Sequence, residues 1–290
     1  MTYEAVPRAR ATLPTFVGIG AMKCGTTALH RALSTHPDIG MAQPKELHFF
    51  SRNAVWRKGV AWYASQFPVR AVRGEVSPSY TKLDLYPLAA ERMASVIPEA
   101  KLLYLVRDPV ERLISHYRHG VAGGTIRSGI EQAITDHPSL VETGRYGARL
   151  REYLRWYPLD QVLVLESAQL DRAHTIQRIL EFIGADPDQA PPDVPRVHTT
   201  SGKYRSRVVS RSRRVMSQVP TATSVAERLT PSLRRRIHLA TSSPVPTHLL
   251  DDVSLSSAML SRLRRCYEDD LRVLRACVGP EVGSWAAGWR

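Results

Sequence analysis

Cysteine is scarce: three in 290 residues, an odd count that argues against a disulfide framework. Cys266 and Cys277 stand eleven apart in one helix-like stretch, ~16 Å along a helix axis and too far to bridge. Long apolar runs are missing too. The longest, around Leu102 to Val106, is strand-sized, far short of the ~18 residues of a membrane span. Arg8 and Arg10 have no apolar stretch behind them, as a secretory signal requires. A reduced, cytoplasmic setting is the expectation. Neither a zinc-type Cys/His cluster nor an acidic EF-hand loop is present, so no metal is expected. At 43% hydrophobic and 23% charged, the composition excludes intrinsic disorder and collagen-like repeats.

Acids are outnumbered. Forty Lys plus Arg face 27 Asp plus Glu, a net charge of +13. Most of the excess lies between Arg196 and Arg236, with eleven Lys/Arg and one acid, Glu227. Such a block suits an anionic partner: phosphate groups, nucleic acid or an acidic membrane surface. Regular aromatic interleaving, expected of a single-strand binder, is absent from it, so nucleic acid is not the expected partner. Val208, Val209, Val215, Met216 and Val219 with Arg211, Arg213 and Arg214 form a weak basic amphipathic pattern, compatible with peripheral contact at the inner face of a membrane.

Regular elements alternate along the chain. Phe16–Gly20 reads as a strand, and Ala28, Leu29, Ala32 and Leu33 predict a helix from about Thr26 to Thr35, stopped by Pro37. Lys101 to Arg107 reads as a strand buried on both faces. Asp108-Pro109-Val110-Glu111 then opens a helix, with Asp as N-cap and Pro at the first helical position. A third strand is expected at Gln161 to Leu165, between a helix through Leu150 and Tyr153 and one from about Ala173 to Ile183. This alternation predicts an α/β fold with a mainly parallel central sheet flanked by helices. Pro187, Pro191, Pro192 and Pro195 mark a long loop, and a last helix is expected from about Ser256 to Cys277. The whole of 1–290 is expected to be one domain, with an extension at 1–14, a loop at 185–206 and a basic, mostly helical part at 207–290.

Gly20-Ala21-Met22-Lys23-Cys24-Gly25-Thr26-Thr27, between a strand and a helix, has the makings of a phosphate cradle. Glycines let the backbone approach an anion, the helix N-terminus adds partial positive charge, and Lys23, Thr26 and Thr27 add donors. The nucleotide-triphosphatase P-loop places lysine directly after its last glycine, whereas here Lys23 precedes Gly25 by two. A second anchor is Arg107, at the carboxyl end of a buried strand, with Ser115 two turns into the next helix. Ligands of open α/β sheets bind beyond those carboxyl ends, and an Arg fork with a hydroxyl suits a second phosphate.

Together with Pro44-Lys45-Glu46-Leu47-His48-Phe49-Phe50, Arg107 to Tyr117 and Gly144 to Gly184, the loop gives the chain a family likeness. It resembles the PAPS-dependent sulfotransferases, in particular the heparan sulfate sulfotransferase branch and its bacterial relatives, over roughly residues 15 to 205. The resemblance implies the P-loop-like sulfotransferase fold, 3′-phosphoadenylyl sulfate (PAPS) as co-substrate with PAP as product, and no metal. It assigns Lys23, Cys24, Gly25, Thr26 and Thr27 to the 5′-phosphosulfate and Arg107 with Ser115 to the 3′-phosphate. Lys203, Tyr204 and Arg205 fall where the family has a basic loop covering the nucleotide. Glu46 becomes the general base, with Lys23 stabilising the leaving oxygen. If Lys45 to Phe50 is extended, Glu46 and His48 project to one side, and His48 orients Glu46 or replaces it.

The resemblance also puts Lys45, His48, Glu75, Ser77 and Tyr80 on the acceptor side. Two positions depart from the heparan-type pattern. Ser51 stands where an acid usually follows the His-Phe-Phe run, and Val76 replaces a lysine that in the family contacts anionic sugar. A hydroxyl of a small molecule, glycan or lipid, neutral or weakly charged, is therefore the expected acceptor. The rival readings are a P-loop kinase using ATP and magnesium, and a non-enzymatic basic binder of nucleic acid or membrane surface.

Overall fold

The computed structural model describes residues 12–189, 248–251 and 253–289. Five strands form one sheet: β1 (Phe16–Gly20), β2 (Ile39–Met41), β3 (Val72–Val76), β4 (Lys101–Val106) and β5 (Val162–Glu166). Their order is β2-β3-β1-β4-β5, and every neighbouring pair is parallel. The expected parallel α/β architecture is therefore the one observed. Chain order changes sides at β1, which lies between β3 and β4. This is where an open sheet leaves a crevice beyond its carboxyl ends.

Among the described residues six helices reach eight residues: α1 (Thr26–Ser34), α2 (Ala89–Val96), α3 (Pro109–Ala122), α4 (Tyr146–Tyr153), α5 (Ala173–Ile183) and α6 (Ser257–Val278). No described helix is long and apolar enough to cross a membrane. The core follows from the strand sequences. Leu102, Leu103, Leu105 and Val106 of β4 are wholly buried, each contributing roughly 1.5–3 kcal/mol by leaving water.

By internal contacts the described residues form two units. One comprises 12–113, 138–189 and 257–289; the other 114–137, 248–251 and 253–256. The first holds the sheet. In it the buried carboxylate of Asp270 on α6 accepts the Gly147 and Ala148 N–H groups at 2.8 and 2.9 Å. That caps α4 from a distant element, since no side chain of its own does so. Glu166, at the end of β5, accepts the N–H groups of Gly283 and Ser284 and the Ser284 hydroxyl at 2.6 to 2.8 Å. In the second unit the Tyr117 hydroxyl donates to the carbonyls of Ser128 and Leu249 at 3.1 and 3.3 Å.

Candidate active site

The loop after β1 stays tied to the sheet until the Ala21 N–H donates to the Leu105 carbonyl at 2.7 Å. It then turns sharply, with Lys23 at φ 71° and Gly25 at φ 83°. A side chain at Gly25 would carry backbone strain in this left-handed region. Gly25 is also the N-cap of α1, and its carbonyl accepts the Ala28 and Leu29 N–H groups at 2.9 and 3.1 Å. No side chain caps α1, and its first turn has no acid. The first N–H groups of a helix have no intrahelical partner. Thr26 and Thr27 therefore open a helix whose start suits an external anion.

Cys24 plays a different part from its neighbours. Its thiol is fully buried 3.5 Å from the Tyr146 hydroxyl, and its N–H is spent on the Ala21 carbonyl at 3.2 Å. Burial pushes the thiol above its usual range. Cys24 fastens the underside of the loop to α4 rather than lining the cradle.

β4 ends beside this loop. Arg107 is partly exposed and donates to the Lys23 carbonyl at 3.5 Å, while its other terminal nitrogen pairs with Glu111. Asp108 caps α3 as expected, with Oδ1 accepting the Val110 and Glu111 N–H groups at 2.7 and 3.0 Å. Glu111 turns toward Arg107. A half-exposed i,i+4 pair is worth ~0.3–0.5 kcal/mol, little enough for a phosphate to displace. Ser115 is half-buried on α3 in the second unit. Lys203, Tyr204, Arg205 and the rest of the basic block lie outside the described residues.

The segment 45–48 reaches the cradle from the other side. Lys45 Nζ lies 3.5 Å from Thr26 Oγ1 and 2.9 Å from Glu46 Oε1. The other carboxylate oxygen, Oε2, is 3.6 Å from His48 Nε2. Glu46 and His48 thus meet, though not through an extended strand. His48 has φ 56°, and the Arg52 N–H closes a turn onto its carbonyl at 3.0 Å. The turn is forced because Phe49 and Phe50 are wholly buried, Phe49 stacking on Tyr63 at 4.3 Å. Burial, then Arg52, lowers His48 to about 4, with Glu46 opposing. The ring is neutral at pH 7, and its contact with Glu46 is a polar approach rather than an ion pair.

Beneath this segment lies a floor. Glu75 is fully buried and accepts four donors: the Tyr63 and Tyr80 hydroxyls at 2.7 Å each, the Ser77 hydroxyl at 2.5 Å and the Leu47 N–H at 3.2 Å. Burial still raises its carboxyl above the ordinary range. Ser77 also accepts the His48 N–H at 3.3 Å, and Tyr80 the Phe49 N–H at 3.0 Å. Glu75, Ser77 and Tyr80, expected to touch the acceptor, instead hold the backbone of 47–49 from below.

Two polar neighbours, Ser79 and Lys82, carry no signal of a site role in the sequence. Ser79 Oγ lies 2.8 Å from His48 Nδ1 and 2.9 Å from Ser51 Oγ. Burial and then the charge of Arg112 lower the Lys82 ammonium to about 8, and Glu46 and Asp84 oppose the shift. Lys82 is thus within electrostatic reach of Glu46. Among the described residues no group of His, Cys, Asp or Glu is arranged to hold a metal ion.

The chain is similar to known sulfotransferases. Mouse heparan sulfate glucosamine 3-O-sulfotransferase 3B1 is 33% identical over 187 residues, which are 59% of this chain and 46% of that protein. Bovine bifunctional heparan sulfate N-deacetylase/N-sulfotransferase 2 is 30% identical over 201 residues, 60% of this chain and 22% of that protein. The chain thus spans less than half the length of either relative. A sulfotransferase structure from Alicyclobacillus acidocaldarius superposes with a TM-score of 0.66 at 21% identity, covering 94% of this chain and 98% of that one. It shows the shared fold. Residues 14–235 match the family described as the sulfotransferase domain, and the chain belongs to that family.

Proposed function

We propose that this domain moves a sulfuryl group from PAPS to a hydroxyl of a glycan, glycolipid or small molecule, with Glu46 as general base. When bound, PAPS supplies an activated sulfuryl group and leaves as PAP. One observation carries the reading: Lys45 bridges Thr26 of the anion cradle and Glu46. The carboxylate is therefore held beside the place where a phosphosulfate would lie. The uncapped, acid-free start of α1 fits such an anion, and Arg107, joined to the Lys23 carbonyl, fits a second phosphate.

Each side chain then has a task. Glu46 takes the proton as the acceptor oxygen attacks, worth typically ~10²–10⁴-fold. Lys23 and the first N–H groups of α1 stabilise charge growing on the departing phosphate oxygen. Lys45 holds the carboxylate in place. The family assignment and the position of Lys23 favour this chemistry over phosphoryl transfer by a P-loop kinase, and sulfuryl turnover without magnesium is the expected result. Glu46→Gln keeps shape and removes the basic oxygen. With labelled PAPS, kcat should fall by ~10²-fold or more while PAP affinity holds. A near-normal kcat would remove Glu46 from the role.

A further inference from the structure

We propose that Ser79 is a positioning residue that fixes the tautomer of His48, so that Nε2–H faces Glu46 and the ring is barred from serving as base. The inference rests on the reading of Glu46 as base and adds the device that keeps the roles of the two residues apart. Ser51, Ser79 and His48 form a short chain: Ser51 Oγ to Ser79 Oγ at 2.9 Å, Ser79 Oγ to His48 Nδ1 at 2.8 Å, and His48 Nε2 to Glu46 Oε2 at 3.6 Å. Both serines are buried, at 4% and 9% exposure. Bulk water therefore has little access to their hydroxyls, and the orientation of each is set by its protein neighbours.

The chain can be polarised two ways. In one, Nδ1–H donates to Ser79, Ser79 to Ser51, and Ser51 to the His48 carbonyl, a contact of 3.3 Å. That leaves the bare lone pair of Nε2 against the Glu46 carboxylate, two acceptors facing each other. In the other, Ser51 donates to Ser79, Ser79 to Nδ1, and Nε2–H points at Glu46. The second gives up the neutral 3.3 Å contact of Ser51 with the His48 carbonyl, and the first sets a bare lone pair against a full negative charge. The carboxylate selects the second, because a donor facing a charged group is worth more than one facing a neutral carbonyl. The backbone that carries the ring is held in place. The His48 N–H is held by Ser77 at 3.3 Å, and its backbone sits at φ 56°. The charged groups around the ring, Lys45, Arg52, Lys82 and Glu46, are mostly cationic, and with burial they keep the ring neutral.

A neutral imidazole has one free lone pair. Here it belongs to Ser79, so none remains for the proton of an acceptor. Glu46 in turn has this N–H facing Oε2 at 3.6 Å, opposite the Lys45 ammonium on Oε1. Its carboxylate is thereby held in one orientation, as a base must be.

The test reads the tautomer directly. In the full chain, ¹⁵N-labelled at histidine, the His48 ring is identified by loss of its signals in His48→Asn. At pH 7 it should show protonated Nε2 and unprotonated Nδ1. Ser79→Ala should give a tautomer mixture and lower kcat about tenfold with the PAPS KM unchanged. Ser79→Thr should restore both. An Nδ1–H ring in the unmodified protein, or a Ser79→Ala enzyme with unchanged tautomer and kcat, would overturn the proposal. A fixed Nε2–H ring in a protein whose Glu46→Gln variant is fully active would overturn the base assignment alone and leave the tautomer lock standing.

Discussion

The floor beneath residues 47–49 can be tested by removing single hydroxyls. Tyr63 and Tyr80 both donate to Glu75 Oε1 at 2.7 Å, and both are wholly buried. Only Tyr80 also accepts a backbone donor, the Phe49 N–H at 3.0 Å. Tyr63→Phe removes one hydrogen bond to a carboxylate, worth ~1.5–3 kcal/mol. Tyr80→Phe removes the same bond and orphans a buried N–H, for ~1–3 kcal/mol more. Each phenylalanine keeps the ring in its aromatic cluster, so the difference isolates the hydroxyls. Urea unfolding at pH 7 should show a lower midpoint for Tyr80→Phe at similar m. The same variant should lose kcat, since Phe49 follows His48 directly. The sign with pH is also defined. Glu75 is pushed up by burial, and losing a donor pushes it further, so both defects should grow as pH rises and shrink as the carboxyl protonates. Equal midpoints for the two variants would refute the floor.

Two further outcomes follow from the anion cradle and from His48. PAP at ~100 times its Kd should add ~2.7 kcal/mol to stability, seen as a higher Tm. AMP, lacking the 3′-phosphate, should do far less, and Arg107→Ala should erase the difference; equal shifts with PAP and AMP would remove Arg107 from the 3′-phosphate. His48 is held at about 4 in the fold against an ordinary 6.5, so the folded state favours the neutral ring. Its contribution is present above pH 6.5 and is lost as pH falls toward 4. Relative to His48→Gln, the unmodified protein should lose about 2 kcal/mol between pH 7 and 5. A difference in urea stability that stays flat with pH would show the ring to be solvated.

Legibility in the sequence tracked how far each element announces itself locally. β1, β4, β5 and the helices α1, α5 and α6 were readable to within a residue or two, because their periodicity and caps are local properties. β2 has only three residues, and β3 reads Val-Arg-Gly-Glu-Val. A strand with Gly74 and Glu75 at its centre carries no apolar signal. It exists because Gly74 makes room for the Phe16 ring and because Glu75 finds four donors from three other places in the chain. The same limit applied to the site. Lys23, Thr26, Arg107, Lys45, Glu46 and His48 were visible through their motifs, and they meet in two groups, Arg107 with Lys23 and a run from Thr26 through Lys45 and Glu46 to His48. That Glu75, Ser77 and Tyr80 face inward, and that Ser79 touches His48, depends on the turn at His48, which no local pattern encodes.

Lys82, as well as residue 76, bears on the charge of the acceptor if acceptors approach Glu46 past it. Val76 is fully buried, and the space above Gly18 is filled by its side chain. The absence of a lysine there says little about the surface beside Glu46. Lys82 supplies a cation within reach of that carboxylate, and at about 8 its ammonium is mostly charged at pH 7. Its own position is fixed by the Lys82 N–H on the Ser79 carbonyl at 3.1 Å, in the same turn that holds His48. A half-buried ammonium ~10 Å from an anionic group contributes about 1.5 kcal/mol at an effective dielectric near 20, roughly tenfold in relative turnover. If acceptors approach Glu46 past Lys82, Lys82→Met should lower kcat/KM for a sulfated glycan about tenfold while leaving a neutral glycan or lipid unchanged. The unmodified protein should then turn over the two classes at comparable rates between pH 6 and 7 and favour the neutral class above pH 9, where the ammonium has lost its proton. A neutral preference already strong at pH 6 and indifferent to Lys82→Met would place Lys82 away from the acceptor and return the question to the residues around Lys45.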